Sequence, residues 1–501
     1  MRSAIVVTVA GVISVASVVA SPASAYEQRV HALLSTRGYH GAAKVARGDD
    51  AAAVRALRER IWRAGAEAKD PEVKRRFLAR WPTLATFDSW SFKKLFALNP
   101  EKHVAGFDED VALPAGEDGS AIYALASRLP DDDGRNRDRF RHDAQRNVLH
   151  DPWNQPLPDD PATLEMGSLT GLSSQAHAHY GLPALPFSDD PQVLKDDPRR
   201  FAIPRNVHTF GADFAESYTA LAILAARLPG GERLALTHAG AAAHHLEDVA
   251  NQIHTVQVGI YDFFVDAKIE SIKEELRSVG GWLRTRPGFV SIGIDIISNH
   301  HVLAEGLYAK HLLVPSDPVA AETAVAPADD KLAASFAAMA PGCAPNFGYT
   351  LATTLIDRSS YEGPDVYRAI RAVALRKWSR AGQHFGENDD PDAALKPGAD
   401  LHAFYRLEAA GARRALQTLD AWWAHFGACS TLDADGEARL AETLVRQRLD
   451  SLDAAEARAT DWKPPAPAQQ VRNNYVPLGY GIVLMIIGLL VHRVRRKRKR
   501  S

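Results

Sequence analysis

Cysteine is almost missing from this chain of 501 residues, which holds only Cys343 and Cys429. Structural zinc of the CxxC type is thereby excluded, and any metal site has to be built from histidine and carboxylates. The two cysteines permit one disulfide, although sequence alone does not show that they meet. Charge of one sign is also lacking. Lys and Arg total 59 against 61 Asp and Glu, a formal net charge of −2, which argues against a nucleic-acid scaffold that works through a basic surface. Alternating β-branched runs are few, so the fold class expected is mostly α. No period of roughly 20–50 residues repeats, and a solenoid is not expected.

What is present begins with an export signal. Met1-Arg2 precedes an apolar run from Ala4 to Ala20, then Ser21-Pro22-Ala23-Ser24-Ala25, an A-x-A-like cleavage site. Cleavage after residue 25 would leave Tyr26 first. Near the other end, residues 475–494 include the uncharged run from Val476 to Val491 and approach the length that spans a bilayer. A basic tail follows over 495–501, and positive charge marks the cytoplasmic side. The expected topology is an exported body, periplasmic or extracellular, tethered to the cell membrane by one C-terminal transmembrane helix. Residues 462–474, opening with Trp462-Lys463-Pro464-Pro465, form a stiff linker into it. No specific protein partner is indicated.

Between these ends the apolar spacing predicts helices over Ala51–Glu67, Glu72–Trp81, Ala212–Leu228, Leu401–Phe426 and Asp435–Ala459, with another starting at Glu232. The aromatics of Leu401–Phe426 are expected in the core. His142–Pro161 reads as a Pro/Asp-rich loop, and Ile260–Leu283 as amphipathic.

The chemistry concentrates in His244-His245-Leu246-Glu247-Asp248-Val249-Ala250-Asn251-Gln252-Ile253-His254. On a helix His244 and Asp248 are about 40° apart on one face and can hold the same ion. The lead-in Ala239-Gly240-Ala241-Ala242-Ala243 points to a buried helix, where a metal would compensate unpaired charge. His254 would lie roughly 15 Å from His244 along a straight helix, so it serves a neighbouring ion or requires a bend. Downstream, His301 and Glu305 form a second i, i+4 pair.

H-x-x-x-D-x-x-x-x-x-H followed by H-x-x-x-E resembles the zinc-dependent phospholipase C and single-strand nuclease superfamily, over roughly residues 100–310. In the phospholipases the last ligand is usually Glu, in the nucleases usually Asp, so Glu305 leans to the former. The resemblance implies a multi-helix domain over 99–310, between helical regions 26–98 and 311–461, with two or three zinc ions. It implies that His179, ahead of Tyr180 and Pro183, joins His244 and Asp248 on one ion, with His177 as the alternative. Asp131 of the acidic turn Asp131-Asp132-Asp133 would complete that site and act as base; Asp132, Asp133 and Glu165 compete for the position. His254, His301 and Glu305 would hold a second ion. His103, thirteen residues after Trp90, would hold a third with a bridging Asp248; Tyr26 with His31 is the rival pair. The gap of forty-seven residues from His254 to His301 departs from the family, and the intervening segment is a candidate lid or membrane-facing element. The implied activity is hydrolysis of phospholipid head groups by metal-activated water, or of nucleic acid or nucleotides on the same cluster. The reading from another class is a tethered helical scaffold that keeps metal for structure alone.

Overall fold

A helix buried along nearly its whole length forms the axis of the molecule. In the computed structural model this is Glu232–Ala250, with every residue from Leu234 to Ala250 buried. The structure describes residues 28–46, 50–96, 118–132, 141–143, 148–150, 179, 181, 183, 185, 191–200, 210–255, 300–310, 312, 326–339, 342–379, 385 and 389–461.

Among the described residues the longer helices are α1 (Gln28–Arg37), α2 (Asp50–Ala66), α3 (Pro71–Arg80), α4 (Ser89–Phe96), α5 (Gly119–Ala126), α6 (Gly211–Ala226) and α7 (Glu232–Ala250). They continue as α8 (300–310), then α9 (Asp330–Ala338), α10 (Phe347–Ser360), α11 (Gly363–Val373), α12 (His402–Cys429) and α13 (Ala434–Asp461). The expected all-helical character holds. One exception falls in the expected loop: Arg141–Asp143 pairs antiparallel with Val148–His150. Among the described residues no helix is long and apolar enough to cross a membrane. The signal (1–25), the span (475–494) and the segment 256–299 lie outside the described residues.

Small side chains explain how α7 can be central. Alanines at 239 and 241–243 let neighbouring helices approach, and α1, α5, α6, α10 and α12 all pack on it. Gly240 is the tightest point: a Cβ there would stand 2.5 Å from the Tyr123 carbonyl oxygen and 2.6 Å from Ala126 Cβ. The turn from α6 into α7 uses Gly230 at φ +70°, a left-handed conformation that costs a side-chain-bearing residue energy.

One apolar core runs through Val30, Phe77, Leu246, Leu355, Leu419 and Leu452, so chain from both ends surrounds α7. Each such leucine contributes about 1.5–3 kcal/mol by leaving water. The α12 aromatics are core as expected; Trp422 is buried and its indole N–H donates to Thr219 Oγ1 at 2.8 Å. A second core joins Ile253, Leu303, Leu307, Tyr367 and Phe404. Cys343 and Cys429 form a disulfide, linking the approach to α10 with the end of α12.

Candidate metal centre

Two buried groups of imidazoles and carboxylates meet at the C-terminal end of α7. His179, His244, His245 and Asp248 make the first, and His254, His301 and Glu305 the second. Asp248 is fully buried and Glu305 only 6% exposed.

In the first group the α7 register places His244 Nε2 3.1 Å from Asp248 Oδ2. His179 enters from a separate segment, donating from Nδ1 to the same oxygen at 2.6 Å. His244 Nε2 and His179 Nδ1 are 2.8 Å apart. On its other side His244 donates from Nδ1 to the Ser127 carbonyl at 2.8 Å, which fixes the tautomer and turns the Nε2 lone pair inward. The close Gly240 crossing of α5 brings that carbonyl within reach.

Burial pushes the His244 imidazole down to about 3, against the pull of Asp248. A neutral His244 and Asp248 Oδ2 thus both present lone pairs to the single Nδ1 proton of His179. Burial works against ionised Asp248 too, yet His244 and His179 hold it well below the ordinary carboxylate range.

The other oxygen, Asp248 Oδ1, has no hydrogen-bond partner among the described residues. It lies 3.4 Å from His31 Nε2 and 3.9 Å from His254 Nδ1. His31, on α1, lies against the His244 ring with centroids 4.1 Å apart and the rings tilted by 33°. Its Nδ1 donates to Glu247 Oε2 at 2.7 Å, and Ser35 Oγ donates to Glu247 Oε1 at 2.8 Å. His31 is thereby held with Nε2 toward Asp248.

The bend that His254 required is present. The α7 helix stops at Ala250, Asn251 is extended (φ −73°, ψ 123°), and Gln252–His254 forms one 3₁₀ turn. His254 Nε2 is then 3.1 Å from Glu305 Oε1, and His301 Nε2 2.8 Å from that oxygen. The two rings stack, 4.9 Å between centroids. Burial raises the Glu305 carboxyl, but His301 and His254 outweigh it and hold the group below its usual value.

Five expected ligands are therefore brought together with His179. His31, the rival for the position beside Asp248, is there; His103 lies outside the described residues, as do His177, Glu165 and Asp133. Asp131 and Asp132 fall in a short helix, Leu129–Asp132, whose backbone alone is described. Sequence reasoning did not single out His245 or Glu247. Adjacency to His244 and Asp248 within an alanine-rich run was the available signal. His245 packs between Phe214 and Tyr218, with ring centroids at 5.3 and 5.7 Å.

The donor set could hold a metal ion. Carboxylate and imidazole atoms without enough protons to share are gathered away from water, where uncompensated charge is costly. Cys343, Cys429 and His425 also cluster, but sulfurs in a disulfide are not metal ligands. No family model, curated protein or solved structure matches the chain.

Proposed function

We propose that this chain is an exported, membrane-anchored, zinc-dependent phosphoric ester hydrolase of the phospholipase C type. The observation that carries the reading is Asp248, a buried carboxylate with one oxygen in the His179/His244 group and the other facing His31 and His254. Two or three zinc ions would be held by His179, His244 and Asp248, by His254, His301 and Glu305, and by His31 with Asp248. When bound, zinc acidifies water and neutralises charge developing on a phosphoryl group.

The protein's own part is preorganisation. Ser127 and Glu247 orient His244 and His31 through their Nδ1 protons, leaving the opposite nitrogens as ligands. Asp248 and Glu305 stay ionised because imidazoles face them. Asp131 retains the role of base that the resemblance implies. The disulfide suits an oxidising compartment, and the span 475–494, with its apolar run Val476–Val491, would supply the anchor.

Metal analysis of the purified full-length chain, followed by turnover of phosphatidylcholine against single-stranded DNA with a chelator control, tests this. The expected result is zinc at two or three ions per chain and chelator-sensitive release of the phosphorylated head group. Faster DNA cleavage transfers the site to nuclease chemistry, and bound zinc without turnover of either makes it a structural centre.

A further inference from the structure

The second metal group depends on where His254 lies, and the local contribution is a cap, Asn251 Oδ1 accepting from the Ile253 N–H at 3.3 Å. Were the helix to continue, His254 would follow Asp248 by six residues, about 9 Å along the axis and about 120° around it. It would face away from Asp248 instead of standing 3.9 Å from it. The Asn251 cap lets the helix end here, and holding the turn that follows against the rest of the fold is a separate, tertiary matter.

That hold is a clamp from the C-terminal helices, outside the region of family resemblance. Gln252 is fully buried. Its amide nitrogen donates to the Leu407 carbonyl on α12 at 2.6 Å and to Glu362 Oε2 at 3.0 Å. Two N–H bonds satisfy both protons of the amide. Glu362 Oε2 also accepts from Arg414 Nη2 at 2.8 Å, and Arg414 is itself 2% exposed. One turn back, Ser359 Oγ donates to the Ala250 carbonyl at 3.1 Å, occupying a helix-end acceptor. Gly411 allows the approach: a Cβ there would stand 2.8 Å from Gln252 Oε1 and 3.2 Å from the Ala250 oxygen.

We infer that Gln252, held by Leu407, Glu362 and Arg414 across Gly411, is the positioning residue that delivers His254 to the His301/Glu305 ion. This inference rests on the metal reading above. It assigns Ser359, Glu362, Leu407, Gly411 and Arg414 a part in shaping the site.

The test is zinc retention by the full-length chain in a graded series of competing chelator, read as metal per chain. His244→Ala and His301→Ala identify which release step belongs to which group. Gln252→Leu is expected to weaken only the step lost in His301→Ala, by about tenfold to a hundredfold, as outer-shell substitutions do. Gly411→Ala, which displaces the Gln252 side chain, is expected to shift the same step. Arg414→Leu follows them, and Arg414→Lys, which keeps a cation beside Glu362, restores the wild-type value. If Gln252→Leu does not fold, the Gly411 and Arg414 variants decide. Folded variants releasing this ion at the wild-type chelator concentration overturn the inference and leave the metal reading standing. Equal weakening of both steps overturns it too, because that marks general loosening. A wild-type chain that binds no zinc removes both readings.

Discussion

Glu247 offers the sharpest test of how the site around Asp248 is organised, because it would reach a bound metal only through His31. Glu247 accepts from His31 Nδ1 at 2.7 Å and from Ser35 Oγ at 2.8 Å, all three side chains being buried. In Glu247→Gln the amide oxygen can keep the His31 bond, while Ser35 turns its hydroxyl to accept from the new NH₂. Geometry survives and only charge is lost. Hydrogen bonds to charged groups contribute about 1.5–3 kcal/mol and neutral ones about 0.5–1.5, so the variant forfeits about 1–1.5 kcal/mol of ligand orientation. That corresponds to about a tenfold fall in affinity for the ion beside His31. Glu247→Ala removes both acceptors and frees the ring, with an expected loss of about a hundredfold. Competitive zinc–chelator titration reads both values. Equal affinities for wild type, Gln and Ala would refute the argument that Glu247 holds His31 as a ligand, and so would a Gln variant weaker than Ala.

Other predictions follow from the same packing. Glu216 on α6 is buried, accepts from the backbone N–H groups of Asn346 and Tyr349 at 3.1 Å each, and is pushed by burial from 4.5 up to about 7. Its folded value lies above its unfolded one, so its contribution to stability is full below about pH 4.5 and is lost as pH rises towards 7. The stability difference between wild type and Glu216→Gln should fall by about 3 kcal/mol over that window, and denaturant titrations showing a constant difference would contradict it. Gly240→Ala forces Cβ against the Tyr123 carbonyl and should cost about 1–3 kcal/mol. By moving Ser127 it should also weaken zinc at His244, measured by chelator titration. Cys343→Ser with Cys429→Ser opens a link spanning 86 residues and should cost about 2–5 kcal/mol of unfolding free energy, read from denaturant titration, with zinc content unchanged.

Much of the fold is legible in local pattern. The predicted Ala51–Glu67 is α2 (Asp50–Ala66), and the predicted Asp435–Ala459 is α13 (Ala434–Asp461). Apolar periodicity reports which face leaves water, and that is settled within a few turns. The same holds for His244/Asp248 and His301/Glu305, whose spacing of four is itself the geometry of a shared face. The loop assigned to 142–161 was partly a hairpin because such short strands carry too few residues to show an alternation.

Sequence by itself thus determined the helical class, the approximate limits of several helices and two pairs of candidate ligands, since each depends on neighbours a turn away. Only tertiary structure decided that His31 reaches Asp248 across a separation of 217 residues, that Cys343 meets Cys429, and that α7 ends so His254 can turn back. Those outcomes depend on which helices lie side by side around α7. Such adjacency is set by the fit of small residues such as Gly240 and Gly411 against partners far along the chain, and no local spacing encodes it.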